Sequence, residues 1–175
     1  LMNAPRISAP REPGLFARAP NLERYRVAAG GLTLIALQPG DTLQVIDLEG
    51  QQPCELLSLN NLGASALSDW GLTPSVANTY LRSRLGEPGV QARRITQALE
   101  KRGIAAVHLP HPALLWNGDT PAGHQQSLVA EAERLVILAA PAEPTAVDRQ
   151  YRPGELRVRV TRADPSPLWL PALPE

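Results

Sequence analysis

The chain has 175 residues, a formal net charge of +0, 43% hydrophobic residues and only 4% aromatics. That length suits one domain, with a core built from Leu, Val, Ile and Ala. Balanced charge argues against the basic excess of a nucleic-acid binder and against a polybasic membrane anchor. No apolar run approaches the roughly 20 residues needed to cross a bilayer.

Residues 1–21 hold Pro5, Pro10, Pro13 and Pro20 and read as an extended, proline-rich N-terminal arm without a signal core. Leu1 in place of Met fits a processed or excised chain. Residues 22–163 form the expected α+β domain. Glu23 to Ala29 alternates polar and apolar residues, as a half-buried strand does. Gly30-Gly31 turns the chain, and Leu32 to Leu37 resumes an apolar run. Pro39-Gly40-Asp41 is a turn signal, with proline presetting φ and glycine free to take a positive one. Thr42 to Leu48 is the clearest strand, and Gln52 to Leu59 is expected to return as its hairpin partner around Glu49-Gly50.

The middle reads as two helices. Ser75 can cap the first, which runs to about Leu85. The second spans about Val90 to Arg102, with Ala92, Ile95, Ala98 and Leu99 as its apolar stripe and Gly103 as its stop. Ile104 to Leu109 is expected to be a buried strand, Pro110 to Gln126 a loop, and Arg134 to Ala140 and Glu155 to Arg162 two further strands. Strands, then helices, then strands give an α+β fold. Its sheet is mainly antiparallel or a partial β-barrel, with two central helices. Residues 164–175 form a second proline-rich arm or linker. Its Leu168-Trp169-Leu170 triplet suggests docking on a partner or on the domain itself.

The segments Tyr25 to Gly30 and Leu37 to Gln52 resemble the urea carboxylase-associated protein family, which shows an Ala-Gly turn and then a G-x-x-L-x-I-x-D-x-E-G-x-Q unit. The matching residues are Gly40, Leu43, Val45, Asp47, Glu49, Gly50 and Gln52. Asp47, Glu49 and Gln52 surround a glycine turn, where carboxylates can accept backbone N–H bonds. Such domains also look like those preceding the folate-binding aminomethyltransferase domain of trimethylamine-N-oxide demethylase-like proteins. The family carries a later D-T-x-G-x-H-D motif associated with a metal. Here the run is Asp119-Thr-Pro-Ala-Gly-His124-Gln125, with Gln replacing the last acid.

The candidate metal ligands are His108, His111, Asp119 and His124, with Cys54 as an adjunct. Imidazole and carboxylate suit zinc, iron or manganese, and zinc is the metal the resemblance implies. The competing reading is that these are solvated or structural loop residues. Cys54 excludes an internal disulfide, which fits a reducing, cytoplasmic setting. Its apolar strand context reads as a buried hydrophobe more than a nucleophile. The sequence shows no phosphate cradle and no nucleophile elbow. Arg82, Arg84, Arg93, Arg94 and Arg102 form a solvated helix face or an interface.

Two functions follow. The first is a non-catalytic assembly or scaffolding module of a folate-dependent demethylase or aminomethyltransferase acting on a methylated amine. In that reading the chain is a homo-oligomer, its partners are other domains or subunits of the same assembly, and tetrahydrofolate binds only in a partner domain. The alternative is a standalone metal-dependent enzyme or small-molecule binder acting on a nitrogen compound.

Overall fold

The computed structural model describes residues 21–142 and 154–164; both proline-rich arms lie outside these residues. Among the described residues, eight strands form two antiparallel four-stranded sheets, with two α-helices packed on one of them. The strands are β1 (Leu22–Ala28), β2 (Leu32–Leu37), β3 (Thr42–Asp47), β4 (Cys54–Leu59), β5 (Ala113–Trp116), β6 (His124–Val129), β7 (Arg134–Ala139) and β8 (Glu155–Thr161). The helices, α1 (Tyr80–Gly86) and α2 (Val90–Glu100), lie between β4 and β5. One sheet has the order β1-β8-β3-β6 and the other β2-β7-β4-β5. The pairs β1–β8, β2–β7, β3–β6 and β4–β5 are nested. The chain is thus one long ribbon doubled back at its middle and rolled up, which is the eight-stranded jelly roll. The sheets are not closed into a barrel. The α+β class with a mainly antiparallel sheet holds.

Two cores account for the strand patterns. The first lies between the sheets and includes Val27, Leu37, Leu43, Val45, Leu56 and Val158. The second lies between β2, β4 and β7 and the helices, and includes Leu34, Leu57, Ile137, Leu81 and Ile95. Strands β2, β7 and β4 of the inner sheet are therefore buried on both faces and read as near-continuous apolar runs, whereas the edge strand β5 is partly exposed. Every residue of β4 is buried. The outer sheet faces water on one side, and β1 and β8 alternate accordingly. The apolar stripe expected on α2 is buried at Ala92, Ile95, Ala98 and Leu99.

This layering corrects the hairpin expectation. β3 pairs with β6 and β8, whereas β4 pairs with β5 and β7. The turn after Asp47 is an arch that carries the chain from one sheet to the other. The turns at Gly30-Gly31 and Pro39-Gly40-Asp41 do the same. A strand buried on one face and a strand buried on both belong in different layers, and the turn residues cannot tell an arch from a hairpin.

Three other expectations change. Ser75 does not cap α1: its Oγ accepts the Ala77 N–H in a turn, and α1 begins five residues later at Tyr80. Ile104 to Leu109 is not a strand. Ile104 and Leu109 are buried beneath the helices, while Ala106–His108 forms a single 3-10 turn with Val107 pointing to solvent. The segment 110–126 is not all loop, since it supplies β5 and the start of β6. β5 is only four residues long, and its pairing with β4 shifts register between Cys54 and Glu55.

At the opposite end of the sandwich from the β3–β4 arch, Arg162 ties three segments together. Its guanidinium lies 2.6 Å from Glu23 and 2.7 Å from Asp41, and it also donates to the Ala36 carbonyl. All three charged side chains are almost fully buried. Burial works against the guanidinium charge, but the two carboxylates outweigh it and raise the Arg162 pKa. Among the described residues no helix is long and apolar enough to cross a membrane.

Candidate functional site

Segment 47–52, from the stretch that carries the resemblance, and segment 119–124, the run that departs from the later motif, meet at one corner of the sandwich. The antiparallel β3–β6 register places Asp47 opposite His124. Asp47 is completely buried. Its Oδ1 accepts the Gly50 N–H at 2.9 Å, and its Oδ2 accepts the Gln52 N–H at 2.9 Å and the Thr120 hydroxyl at 2.7 Å. A polar side chain buried this deeply needs hydrogen-bond partners, and three donors supply them here.

The backbone completes the join. Gln51 N–H donates to the Thr120 carbonyl, and Gly123 N–H donates to the Asp47 carbonyl. Gly50 has φ 85° and Gln51 has φ 61°, and Gln51 is the one non-glycine residue with a positive φ among those described. A Cβ on Gly50 would stand 2.7 Å from the Ala122 nitrogen, so only glycine lets the two loops approach this closely. The strained arch is held shut by Asp47. Glu49, expected beside it, is exposed.

Gln52 extends the knot. Its Nε2 donates to the carbonyls of Pro53 and Pro141, and its own carbonyl accepts the Trp116 indole N–H at 2.6 Å. His124 packs edge-on against the Trp116 ring at 4.9 Å between centroids. Cys54, the register partner of Trp116, is fully buried. Burial first, and then the nearby Glu55 and Asp47 charges, push its thiol pKa far up, so it stays a neutral thiol.

The candidate ligands are not brought together. His108 is exposed on the 3-10 turn. His111 lies 3.1 Å from the Arg82 guanidinium, a cation where a metal site needs an open lone pair. Asp119 is exposed and accepts from Asn117 within its own loop. His124 faces Trp116. Among the described residues no three His, Cys, Asp or Glu side chains form a group able to hold a metal ion. These residues therefore do not fit the zinc that the resemblance implies.

Sequence reasoning missed Glu55. Its side chain points to the helix layer, where its carboxylate accepts the N–H of Leu81 at 2.6 Å and of Tyr80 at 3.3 Å. A strand residue thus caps α1 from outside the helix, taking the donors that Ser75 was expected to satisfy. The signal was present: an acid inside Cys54-Glu-Leu-Leu-Ser-Leu59, an otherwise apolar strand, must have a partner.

A shallow cavity of about 320 Å³ opens on the helix layer beside the α1–α2 turn. Glu87, Arg93, Thr96 and Glu100 are among its lining residues. Its charges are mixed and solvent-facing, and no set of reactive groups converges there. The site the structure defines is the Asp47 corner, and its groups are engaged with each other.

No family model matches the chain. The chain is similar to the trimethylamine-oxide aldolase of Ruegeria pomeroyi, with 32% identity over 164 residues. Those residues are 91% of this chain and 20% of that protein, so the chain spans about a fifth of the length of the curated relative it matches.

Proposed function

We propose that this chain is a non-catalytic assembly module of a protein that acts on a methylated amine, in a folate-dependent demethylation or aminomethyl transfer. The observation that carries this reading is the similarity to a fifth of a trimethylamine-oxide aldolase, across nearly all of this chain. A jelly roll of this size is one part of such a protein, and the remaining length has room for a catalytic domain. The motif corner supports the same reading. Asp47 spends its lone pairs on Gly50, Gln52 and Thr120, so it braces an arch and offers nothing to a substrate. Cys54 is a buried neutral thiol and not a nucleophile. Tetrahydrofolate, in this reading, binds a partner domain, and the module's own contacts are with other parts of the assembly, including further copies of itself.

Metal analysis combined with native mass tests this. The purified chain is expected to carry no stoichiometric zinc or iron and to run as a stable oligomer. Stoichiometric metal on a monomer would overturn the module reading in favour of a self-contained metal-dependent enzyme.

A further inference from the structure

The solvent face of the outer sheet carries an arginine block. Across β1, β8, β3 and β6, Arg24 stands opposite Arg159, Arg159 opposite Gln44, and Gln44 opposite Ser127. The next outward row is Arg26, Arg157, Ile46 and Gln125. Glu155 lies on the same face, 2.5 Å from Arg157 and 3.9 Å from Arg26. Among the described residues, four arginines against one glutamate give this face a positive excess in a chain whose net charge is +0. Arg26 and Arg157 are engaged with Glu155 and with other groups. Arg24 and Arg159 have no carboxylate partner among the described residues, and the Arg24 Nε is buried without a hydrogen bond.

Like charges directly opposite in an antiparallel pair are destabilising. A stable sheet surface needs no Arg24–Arg159 pair, since Gln and Ser serve the same rows one strand away. We propose that this face is a docking surface for a carboxylate-rich protein surface on a neighbouring domain or subunit of the assembly. Charge selects the partner, because guanidinium groups pair two-pronged with carboxylates and arginine is favoured at protein interfaces. The rows show no aromatic side chain on which a base would stack, which disfavours a single-stranded nucleic acid. The surface deepens the assembly reading and relies on it for the partner being a protein.

Binding of a polyglutamate peptide to the full chain, measured by calorimetry at low and at physiological salt, tests the surface. The peptide should bind in a salt-dependent way. The paired variant Arg24→Gln/Arg159→Gln should bind roughly tenfold more weakly, with Arg24→Lys/Arg159→Lys falling between. Arg93→Gln/Arg94→Gln on the helix layer should bind like the wild type. The Gln pair should also melt no lower than the wild type, since it removes a like-charge contact. Equal loss in the helix variant, no binding at all, or tighter binding of a single-stranded oligonucleotide of matched charge would each overturn the proposal. So would a lowered melting temperature in the Gln pair, because the arginines would then be structural. The oligomer measured by native mass is read separately, so losing this surface does not by itself remove the module.

Discussion

Asp47 and Thr120 lie 73 positions apart and share a 2.7 Å hydrogen bond inside the protein. That bond joins the β3–β4 arch to the loop that leads into β6. Removing the hydroxyl and removing the carboxylate should therefore differ in cost. Thr120→Val deletes one donor and should lose about 1 kcal/mol. Asp47→Ala leaves two backbone N–H groups and the Thr120 hydroxyl without their acceptor and should lose at least about 3 kcal/mol. Urea unfolding of the two variants measures both. Similar small losses would show that the arch does not depend on Asp47.

The arch also predicts opposite effects at adjacent positions. Gly50→Val must place a Cβ against the backbone of Ala122 at a φ of 85°, and should lose roughly 2 kcal/mol or more. Gln51→Gly relieves a left-handed backbone whose side chain is exposed, and should gain up to about 1 kcal/mol. Thermal melts of the two variants should move in opposite directions. A stable Gly50→Val protein would mean that the loops can part.

Cys54 should react with a thiol reagent only as fast as the protein opens. It is fully buried, and burial holds its thiol neutral across the usual labelling range. Cys54→Ser puts a hydroxyl into the same apolar space and should cost about 1–3 kcal/mol. Fast labelling of the native protein would place the thiol at the surface.

Glu55 gives the chain a pH dependence with a definite sign. Burial raises its pKa above the ordinary carboxylate range, and the Leu81 and Tyr80 N–H bonds offset only part of that. The folded state then holds the Glu55 proton more tightly than the unfolded state does. Its contribution is fully present below the unfolded carboxylate pKa and is lost as pH rises through the raised folded value. Glu55→Gln keeps one acceptor oxygen for α1 and removes this titration. The stability difference between wild type and variant should therefore shift in the variant's favour as pH rises through the mildly acidic range. Unfolding curves measured across that range check it, and a constant difference would contradict the raised pKa.

The element pattern was largely legible because burial writes itself into the chain. Alternation in 23–29 and 155–162 marked strands wet on one side, and the stripe on α2 marked a helix resting on a sheet. The unbroken runs of β2, β4 and β7 carried more than strand identity, since a strand that is apolar on both faces must lie between two layers. That clue separates β3 from β4, but the tight turn between them pointed the other way. The corner was half legible. Asp47, Gly50 and Gln52 stood out as a turn, yet their partner Thr120 lay in a stretch read as loop. Local turn chemistry carries no information about a loop 73 positions away. The partners of Glu55 and of the Arg162 cluster were hidden for the same reason: each is a buried charge whose partners come from elements distant in the chain.

The most direct test of the assembly account is turnover by the purified chain alone. The chain is incubated with trimethylamine N-oxide, with and without added zinc, iron and tetrahydrofolate, and substrate loss is followed. The account predicts no consumption under any of these conditions, because Asp47 is bonded to Gly50, Gln52 and Thr120 inside the fold and Cys54 is a buried neutral thiol. Catalytic consumption by the isolated chain, abolished by His124→Ala in a variant that still folds, would contradict it.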